Sequence, residues 1–298
     1  MSDVSAATPA DLAAVRNLMA ASDVPLHFIA GGTDMLVHPR PFPSSGYIVN
    51  IAATAGLRDI VVRDDAVVIG AAVTLSELQH SAIIRARVPM LAQAADLCGS
   101  VQIRNRATIG GNVVNASPAG DLLPILVCMA ARVSLLGRDG IGREMAIAQF
   151  LTGAGRTMLG NCELLVSLSI PLAPMLARAA FVKLGQRDDL TISRLNLILE
   201  ADFDEESTTF GAVRCVAGAI APTPLPLAAV AETLEGKRLS PAVAADFLRA
   251  LVGAVDAAIP GRLSQPYKRC AVMGVGLDAL LGVAGGLCPR WEDLEALL

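Results

Sequence analysis

Two glycine-paired segments carry the residues of this sequence that are best suited to chemistry. The first reads Ile29-Ala30-Gly31-Gly32-Thr33-Asp34-Met35-Leu36, and the second contains Thr108-Ile109-Gly110-Gly111-Asn112. Paired glycines let a backbone reach positive φ and expose successive N–H groups without a Cβ in the way. Concave arrays of N–H groups bind anions, and a neighbouring threonine adds a hydroxyl donor. The two segments therefore predict a phosphate or diphosphate site, with a simple turn as the alternative for each glycine pair.

A polar stretch, Asn115-Ala116-Ser117-Pro118-Ala119-Gly120-Asp121, follows the second segment. Asp121 has two interpretations. It belongs to the ligand site, or it is the N-cap of a helix predicted over residues 122–131, in whose first turn Pro124 is tolerated.

Several other chemistries lack their sequence patterns. The three histidines are not spaced as metal ligands, and neither a Gly-x-Ser-x-Gly elbow nor a Walker loop is present. The six cysteines are scattered without a Cys-x-x-Cys pair, which predicts small buried hydrophobic side chains in a reducing compartment. They are Cys98, Cys128, Cys162, Cys215, Cys270 and Cys288.

Composition places the chain among folded, acidic proteins. Of its 298 residues, 53% are hydrophobic and 17% are charged, with a formal net charge of −4. An acidic balance argues against nucleic acid as a partner. The apolar stretch 271–288 contains Asp278 and several glycines, so we predict a buried helix and no membrane span. The N-terminus lacks the pattern of a signal peptide, and we expect a cytoplasmic protein.

The coarse order of elements predicts an α+β fold rather than a regular βαβ series. Thr8-Pro9 has the pattern of a helix start and predicts a helix that runs to Ser22. A strand is predicted over 25–30, and short β-branched runs predict several strands before Pro171. A helix is predicted near 225–234. The two prolines within 171–174 indicate a linker between domains.

Taken together, these motifs resemble the flavin-binding subunit of molybdenum hydroxylases, the xanthine dehydrogenase and carbon monoxide dehydrogenase family. Ala30-Gly31-Gly32-Thr33-Asp34 is similar to the first FAD loop of that family. Gln102-Ile103-Arg104-Asn105, followed by the segment from Ala107 to Asn112 and by Asn115 to Asp121, resembles the second. The resemblance extends over nearly the whole chain.

The resemblance implies a two-part FAD-binding domain of the PCMH or vanillyl-alcohol-oxidase type over residues 1–172, with subdomains at about 1–56 and 57–172. A smaller α+β domain of the CO dehydrogenase flavoprotein C-terminal type is expected over 178–298. The loop 186–189 is similar to one near the isoalloxazine ring. The residues expected to contact FAD are Ile29, Ala30, Gly31, Gly32, Thr33, Asp34, Met35, Leu36, Thr108, Ile109, Gly110, Gly111, Asn112, Ser117, Asp121, Leu165 and Lys183.

The resemblance also implies a function, an oxidoreductase subunit that carries FAD. The molybdenum cofactor and [2Fe-2S] clusters are then expected on a large and a small partner subunit, in a dimer of heterotrimers. Electrons would pass from the iron–sulfur centres through FAD to NAD⁺ or another acceptor, so no catalytic residue or metal ligand is assigned to this chain. The alternatives are a stand-alone FAD oxidoreductase acting on a small molecule and a flavin-free scaffold subunit.

Overall fold

The structure is a computed structural model that describes residues 3–37, 43–172, 176, 178–187 and 190–298. Helices and strands are both abundant, and the predicted α+β class is confirmed. The strands are β1 Asp3–Ala7, β2 Leu26–Ile29, β3 Ser45–Asn50, β4 Ile60–Arg63, β5 Ala66–Gly70, β6 Arg132–Gly137, β7 Gly142–Ala146, β8 Leu151–Gly153, β9 Arg156–Thr157, β10 Glu163–Pro171, β11 Arg178–Leu184, β12 Leu195–Asp204, β13 Thr209–Gly218 and β14 Leu225–Pro226.

The helices include several short ones between β5 and β6 and two long ones near the C-terminus. They are α1 Leu12–Ala21, α2 Leu75–His80, α3 Ala82–Arg87, α4 Pro89–Asp96, α5 Val101–Arg104, α6 Ile109–Asn115, α7 Leu122–Cys128, α8 Ile147–Phe150, α9 Ala228–Ala231, α10 Pro241–Ala258, α11 Gln265–Ala284 and α12 Trp291–Leu294.

The chain divides into two compact units. Unit 1 comprises Met1–Ser117 and Ala130–Ala173, and unit 2 comprises Pro118–Met129 and Pro174–Leu298. The helix α7 thus packs in unit 2, although it lies inside the sequence range 1–172. Its side chains are almost all buried, and it contacts β12 and β13. A helix that is apolar all round requires cover on every side.

Unit 1 begins with a small parallel sheet in the order β1-β3-β2. The helix α1 packs against it through Val15 and Met19, which are buried with Val49. This helix begins at Leu12 because the Asp11 side chain accepts a hydrogen bond from the Ala14 amide at 2.8 Å. The predicted start at Thr8-Pro9 is therefore wrong.

The larger sheet of unit 1 is antiparallel, in the order β4-β5-β10-β6-β7. The helices α2 to α6 lie between β5 and β6 in the chain. The start of α2 is fixed by a capping box, in which the Thr74 side chain accepts the Glu77 amide and the Glu77 carboxylate accepts the Thr74 amide. The central strand β10 pairs with β5 on one side and with β6 on the other.

Unit 2 is an antiparallel sheet in the order β11-β12-β13-β14, with α10 and α11 packed together and α11 packed against β11 and β12. With the turn that follows it, α11 is the one described helix that is long and apolar enough to cross a membrane. Val272, Ala279 and Val283 on this helix are nevertheless buried in the unit 2 core. That packing is what the sequence predicts for the stretch 271–288.

Two sequence predictions need correction here. The region 225–234 is not one helix, because Leu225–Pro226 pairs with the end of β13 and only Ala228–Ala231 is helical. The cysteines are not uniformly buried. Cys128 and Cys215 are buried, whereas Cys162 and Cys270 are exposed.

Candidate functional site

The first glycine segment forms a tight turn directly after β2. The Leu36 amide donates to the Gly32 carbonyl oxygen at 3.1 Å, and Gly32 has a φ of 72° that favours glycine. Within the described residues, the amides of Gly31, Gly32, Thr33 and Met35 donate to no protein acceptor. The turn therefore offers several N–H groups to a ligand, as the sequence predicts for this segment.

The second glycine segment is built differently. Thr108 is the N-cap of α6, and its hydroxyl accepts the Gly111 amide at 3.1 Å. The amides of Ile109 and Gly110 donate to the carbonyl oxygens of Val73 and Ala71, each at 2.9 Å. The prediction that this segment exposes a second array of free N–H groups is therefore wrong, because its glycines begin a helix.

The two segments meet at Gly31. A Cβ on this residue would lie 1.8 Å from the Arg106 carbonyl oxygen and 2.4 Å from its carbon. The Arg106 Nε also donates to the Gly31 carbonyl oxygen at 3.4 Å, across 75 positions of sequence. Only a residue without a side chain allows this approach, so Gly31 is required for the two segments to converge.

A cavity of about 240 Å³ in unit 1 brings together residues of both segments. Five of its lining residues are among those predicted from the sequence. They are Ala30, Thr108, Gly110, Gly111 and Leu165. A Cβ on Gly111 would meet only the Thr108 hydroxyl, at 3.0 Å, so this glycine presents bare main chain to the cavity.

Another part of the cavity lining, which the sequence pattern does not predict, is formed by Leu159, Gly160, Asn161 and Glu163. Glu163 makes a bidentate ion pair with Arg143, with N···O distances of 2.6 and 2.7 Å. The hydrogen bonds from Arg143 hold the pKa of the Glu163 carboxyl below its usual value, against the opposing effect of burial. Nothing in the sequence pattern pairs Glu163 with Arg143, which lies 20 positions earlier in the chain.

Asp121 and Lys183 form a buried ion pair in unit 2. The Lys183 Nζ lies 2.7 Å from Asp121 Oδ2, and each side chain is 6% exposed. Ser193 and Asn196 also donate to the other carboxylate oxygen. Asp121 occupies the N-cap position of α7, but its side chain makes no capping hydrogen bond. The predicted N-cap position of Asp121 is thus found, but its carboxylate binds these three donors and does not cap the helix.

The remaining predicted residues lie in varied surroundings. Ile109 is fully buried, whereas Leu36 is exposed at the end of the first turn. The Asn112 Oδ1 is buried and has no hydrogen-bond partner among the described residues. Ser117 is the last residue of the first part of unit 1. In the loop 186–189, Arg187 donates to the Leu190 carbonyl oxygen, while residues 188 and 189 lie outside the described residues.

Residues 2–173 match the family model described as the FAD binding domain in molybdopterin dehydrogenase. The chain belongs to this family. Residues 180–281 match the CO dehydrogenase flavoprotein C-terminal domain. The predicted FAD-binding domain followed by a C-terminal domain of that type is thus confirmed, and the chain is an FAD-binding oxidoreductase subunit of the molybdenum hydroxylase type.

Relatives with similar sequences match most of the length of this family member. The nicotinate dehydrogenase FAD-subunit of Eubacterium barkeri is 31% identical over 258 residues, covering 85% of this chain and 86% of the relative. The xanthine dehydrogenase FAD-binding subunit of Escherichia coli O157:H7 is 32% identical over 219 residues, covering 72% of this chain and 74% of the relative.

Solved structures of low identity share the fold. The carbon monoxide dehydrogenase of Hydrogenophaga pseudoflava, in a form that lacks the Mo-pyranopterin moiety of its cofactor, matches with a TM-score of 0.82 at 24% identity, covering 96% of this chain and 99% of that one. The quinoline 2-oxidoreductase of Pseudomonas putida 86 matches with a TM-score of 0.85 at 20% identity, covering 96% and 98%.

The residues present fit the FAD that the family binds. The first turn supplies unused amides for a diphosphate, and its approach to the second segment depends on a glycine that no other residue can replace. The cavity beside it has largely apolar walls with bare main chain at Gly111. Apolar walls with a few polar groups are typical of cofactor sites.

Proposed function

We propose that this chain binds FAD at the junction of its two glycine segments and serves as the electron-transfer subunit of a molybdenum hydroxylase. The observation that carries the proposal is the contact at Gly31, which joins a turn with free amides to a cavity lined by the second segment. When bound, FAD supplies the ability to accept electrons and to pass them to NAD⁺ or another acceptor.

The first segment would hold the diphosphate. Amides directed at an anion stabilise it through fixed partial charges, without lysine or arginine. This suits a chain whose formal net charge is −4. In this role Gly31, Gly32, Thr33 and Met35 act through their main chain, since their amides have no acceptor within the described parts of the protein.

The second segment would form the surface on which the cofactor lies. The amides of Gly110 and Gly111 are already bonded, so Gly111 would contribute close approach rather than a hydrogen bond, whereas the bare Cα of Gly110 makes room for Ala71. The Thr108 hydroxyl lines the cavity and keeps its own proton to donate, because towards Gly111 it acts as an acceptor. Leu165 supplies apolar surface in the same cavity.

The other predicted FAD contacts stay predictions. The Ile109 side chain is buried, so any contact it makes with FAD comes from its main chain. Asp34 and Leu36 lie in the first segment and Asn112 ends the second, while Ser117 follows the second along the chain. Asp121 and Lys183 neutralise each other in unit 2, and a role in flavin binding would be additional to that pairing.

We further propose that the molybdenum cofactor and the [2Fe-2S] clusters reside on a large and a small partner subunit in a dimer of heterotrimers. Support comes from the names of the relatives, which include the carbon monoxide dehydrogenase medium chain of Hydrogenophaga pseudoflava, 31% identical over 160 residues. A medium chain implies companions of larger and smaller size. We expect the complex to act in the cytoplasm.

The test is to purify the chain from cells supplied with riboflavin and to identify the flavin released on denaturation. We expect close to one FAD per chain and no FMN. A colourless protein that also fails to bind added FAD would overturn the assignment and favour the scaffold alternative.

A second measurement separates the subunit from a stand-alone oxidoreductase. The complex isolated from the native source is expected to contain molybdenum and iron on other chains, and its flavin to be reduced by substrate only when those chains are present. Reduction of the flavin in the isolated chain by a small-molecule substrate would favour the stand-alone enzyme.

A further inference from the structure

Arg143, on β7, is joined to both ends of the segment 158–163, which forms one wall of the proposed FAD cavity. Its guanidinium donates to the two carboxylate oxygens of Glu163 at 2.6 and 2.7 Å, and to the Met158 carbonyl oxygen at 2.8 Å. One side chain therefore bridges the start and the end of this wall segment.

Glu163 extends the same connection into the middle of the wall. Its Oε2 accepts the Gly160 amide at 2.7 Å. A Cβ on Gly160 would lie 3.0 Å from that oxygen, so a glycine here lets the carboxylate come close to the main chain. Leu159, Gly160, Asn161 and Glu163 all line the cavity. The position of these residues thus depends on where Arg143 holds the Glu163 carboxylate.

The wall segment is held by its main chain at its two ends, because the Met158 amide donates to the Phe150 carbonyl oxygen at 2.8 Å and Glu163 begins β10, opposite Gly137 of β6. Between these ends its main-chain support is local. The Leu159 amide donates to the Thr157 hydroxyl at 3.3 Å, and the Glu163 amide donates to the Gly160 carbonyl oxygen at 3.1 Å. Both bonds lie within residues 157–163, so residues 159–162 have no main-chain hydrogen bond to another part of the described protein. Fork-shaped pairing of an arginine with a carboxylate fixes direction as well as distance.

We propose that Arg143 is a positioning residue that, through Glu163, holds residues 159–162 of the wall segment against the cavity and thereby slows the release of FAD. The proposal rests on the proposed function, because it takes the cavity to be the FAD site. Arg143 touches no part of the cavity itself and acts through Glu163.

The effect should be local. Arg143 and Glu163 are 42% and 18% exposed, and ion pairs near the surface contribute little to the free energy of unfolding. Loss of the pair would loosen residues 159–162, while the strands that carry Arg143 and Glu163 keep their ladders. In the variant without the pair, FAD must order the loosened wall as it binds, and its affinity falls by that cost.

The experiment compares Arg143→Met, Arg143→Lys and Glu163→Gln with a matched control, Arg132→Met. Arg132 is paired with Glu144 on neighbouring strands of the same sheet, at 3.7 Å, outside the wall segment. The FAD dissociation constant and release rate are measured on apo-protein reconstituted with FAD, using the change in flavin fluorescence on binding. Thermal unfolding of each variant is recorded in parallel.

We expect Arg143→Met to raise the FAD dissociation constant roughly 10- to 100-fold through a faster release rate. Arg143→Lys should recover only part of this loss, because an ammonium group keeps the charge but not the fork. Glu163→Gln should fall between the wild type and Arg143→Met, and Arg132→Met should match the wild type.

A second readout does not depend on flavin. Hydrogen exchange of the Gly160 amide in the apo-protein should become faster in Arg143→Met and stay unchanged in Arg132→Met. The inference is overturned if the wild type binds FAD and Arg143→Met releases it at the wild-type rate, or if Gly160 exchange is the same in both variants. Failure of the wild type to bind FAD would instead refute the proposed function and leave the exchange result to decide whether Arg143 orders the wall.

Discussion

Replacement of Gly31 by alanine tests whether the two glycine segments really meet. The added Cβ would lie 1.8 Å from the Arg106 carbonyl oxygen. Carbon and oxygen atoms that are not bonded to each other normally stay about 3.3 Å apart or more, so the segments would have to separate by about 1.5 Å. The oxygen belongs to the main chain and cannot turn aside as the end of a side chain can.

The magnitude follows from the cost of strain in a packed structure. Forcing an extra methyl group into a tight contact costs about 1–3 kcal/mol. If FAD binds only when the segments are together, the closed state bears this cost, and the FAD dissociation constant should rise roughly 5- to 150-fold. The protein should remain folded, because the segments can relieve the strain by moving apart when FAD is absent.

The assay is a titration of apo-protein with FAD, with unfolding in urea measured on the same samples. Gly253→Ala is the control, since this glycine of α10 has no atom within 4 Å of the added Cβ. An unchanged FAD dissociation constant together with unchanged unfolding in Gly31→Ala would refute the reasoning, because it would mean that the two segments do not touch at Gly31.

Three further outcomes are expected. Gly111→Val should lower FAD content while the urea midpoint stays near that of the control Gly253→Val, and equal FAD content in the two would remove Gly111 from the site. Lys183→Met should cost about 3–5 kcal/mol of unfolding free energy by leaving the buried Asp121 carboxylate unpaired, and adding Asp121→Leu should recover part of it, whereas strictly additive losses would contradict this pairing. The pKa of the Glu163 carboxyl is held below its usual 4.5 by Arg143, so its stabilising contribution is present above pH 4.5 and lost as the pH falls through the lowered pKa. Because the pair is partly exposed, the contribution is small, and the difference in thermal unfolding between the wild type and Glu163→Gln should narrow slightly as the pH falls.

The sequence predicts the elements whose pattern is local and misses those that depend on distant partners. The strand predicted over 25–30 is found at Leu26–Ile29. By contrast, β1 is held by parallel pairing with β3, some forty residues away, and the local pattern at Thr8-Pro9 was mistaken for a helix start. The pairing of Leu225 and Pro226 with β13 likewise shortened the helix predicted near 225–234.

The same division applies to the site. The free amides of the first segment follow from a glycine pair after a strand, and they were predicted. The helix that begins in the second segment has a local signal, since threonine is a preferred N-cap residue and Thr108 stands directly before the helix. The ion pair between Arg143 and Glu163 joins two strands across 20 positions of sequence, and no residue pattern predicts it.

The two glycine pairs look alike in the sequence, yet the structure gives their members different surroundings. Gly31 is bare because another part of the protein, the Arg106 carbonyl, occupies the space of its side chain. Gly111 lines the cavity, and the only neighbour that a Cβ there would meet is the Thr108 hydroxyl. A side chain at Gly31 must therefore act first on the protein and through it on FAD, whereas one at Gly111 must act on the ligand directly. If Gly31→Ala and Gly111→Val both lower FAD affinity but only Gly31→Ala changes urea unfolding, the turn and the cavity form one site. Gly31 then serves that site by allowing the contact with Arg106, and Gly111 serves it by leaving space for FAD.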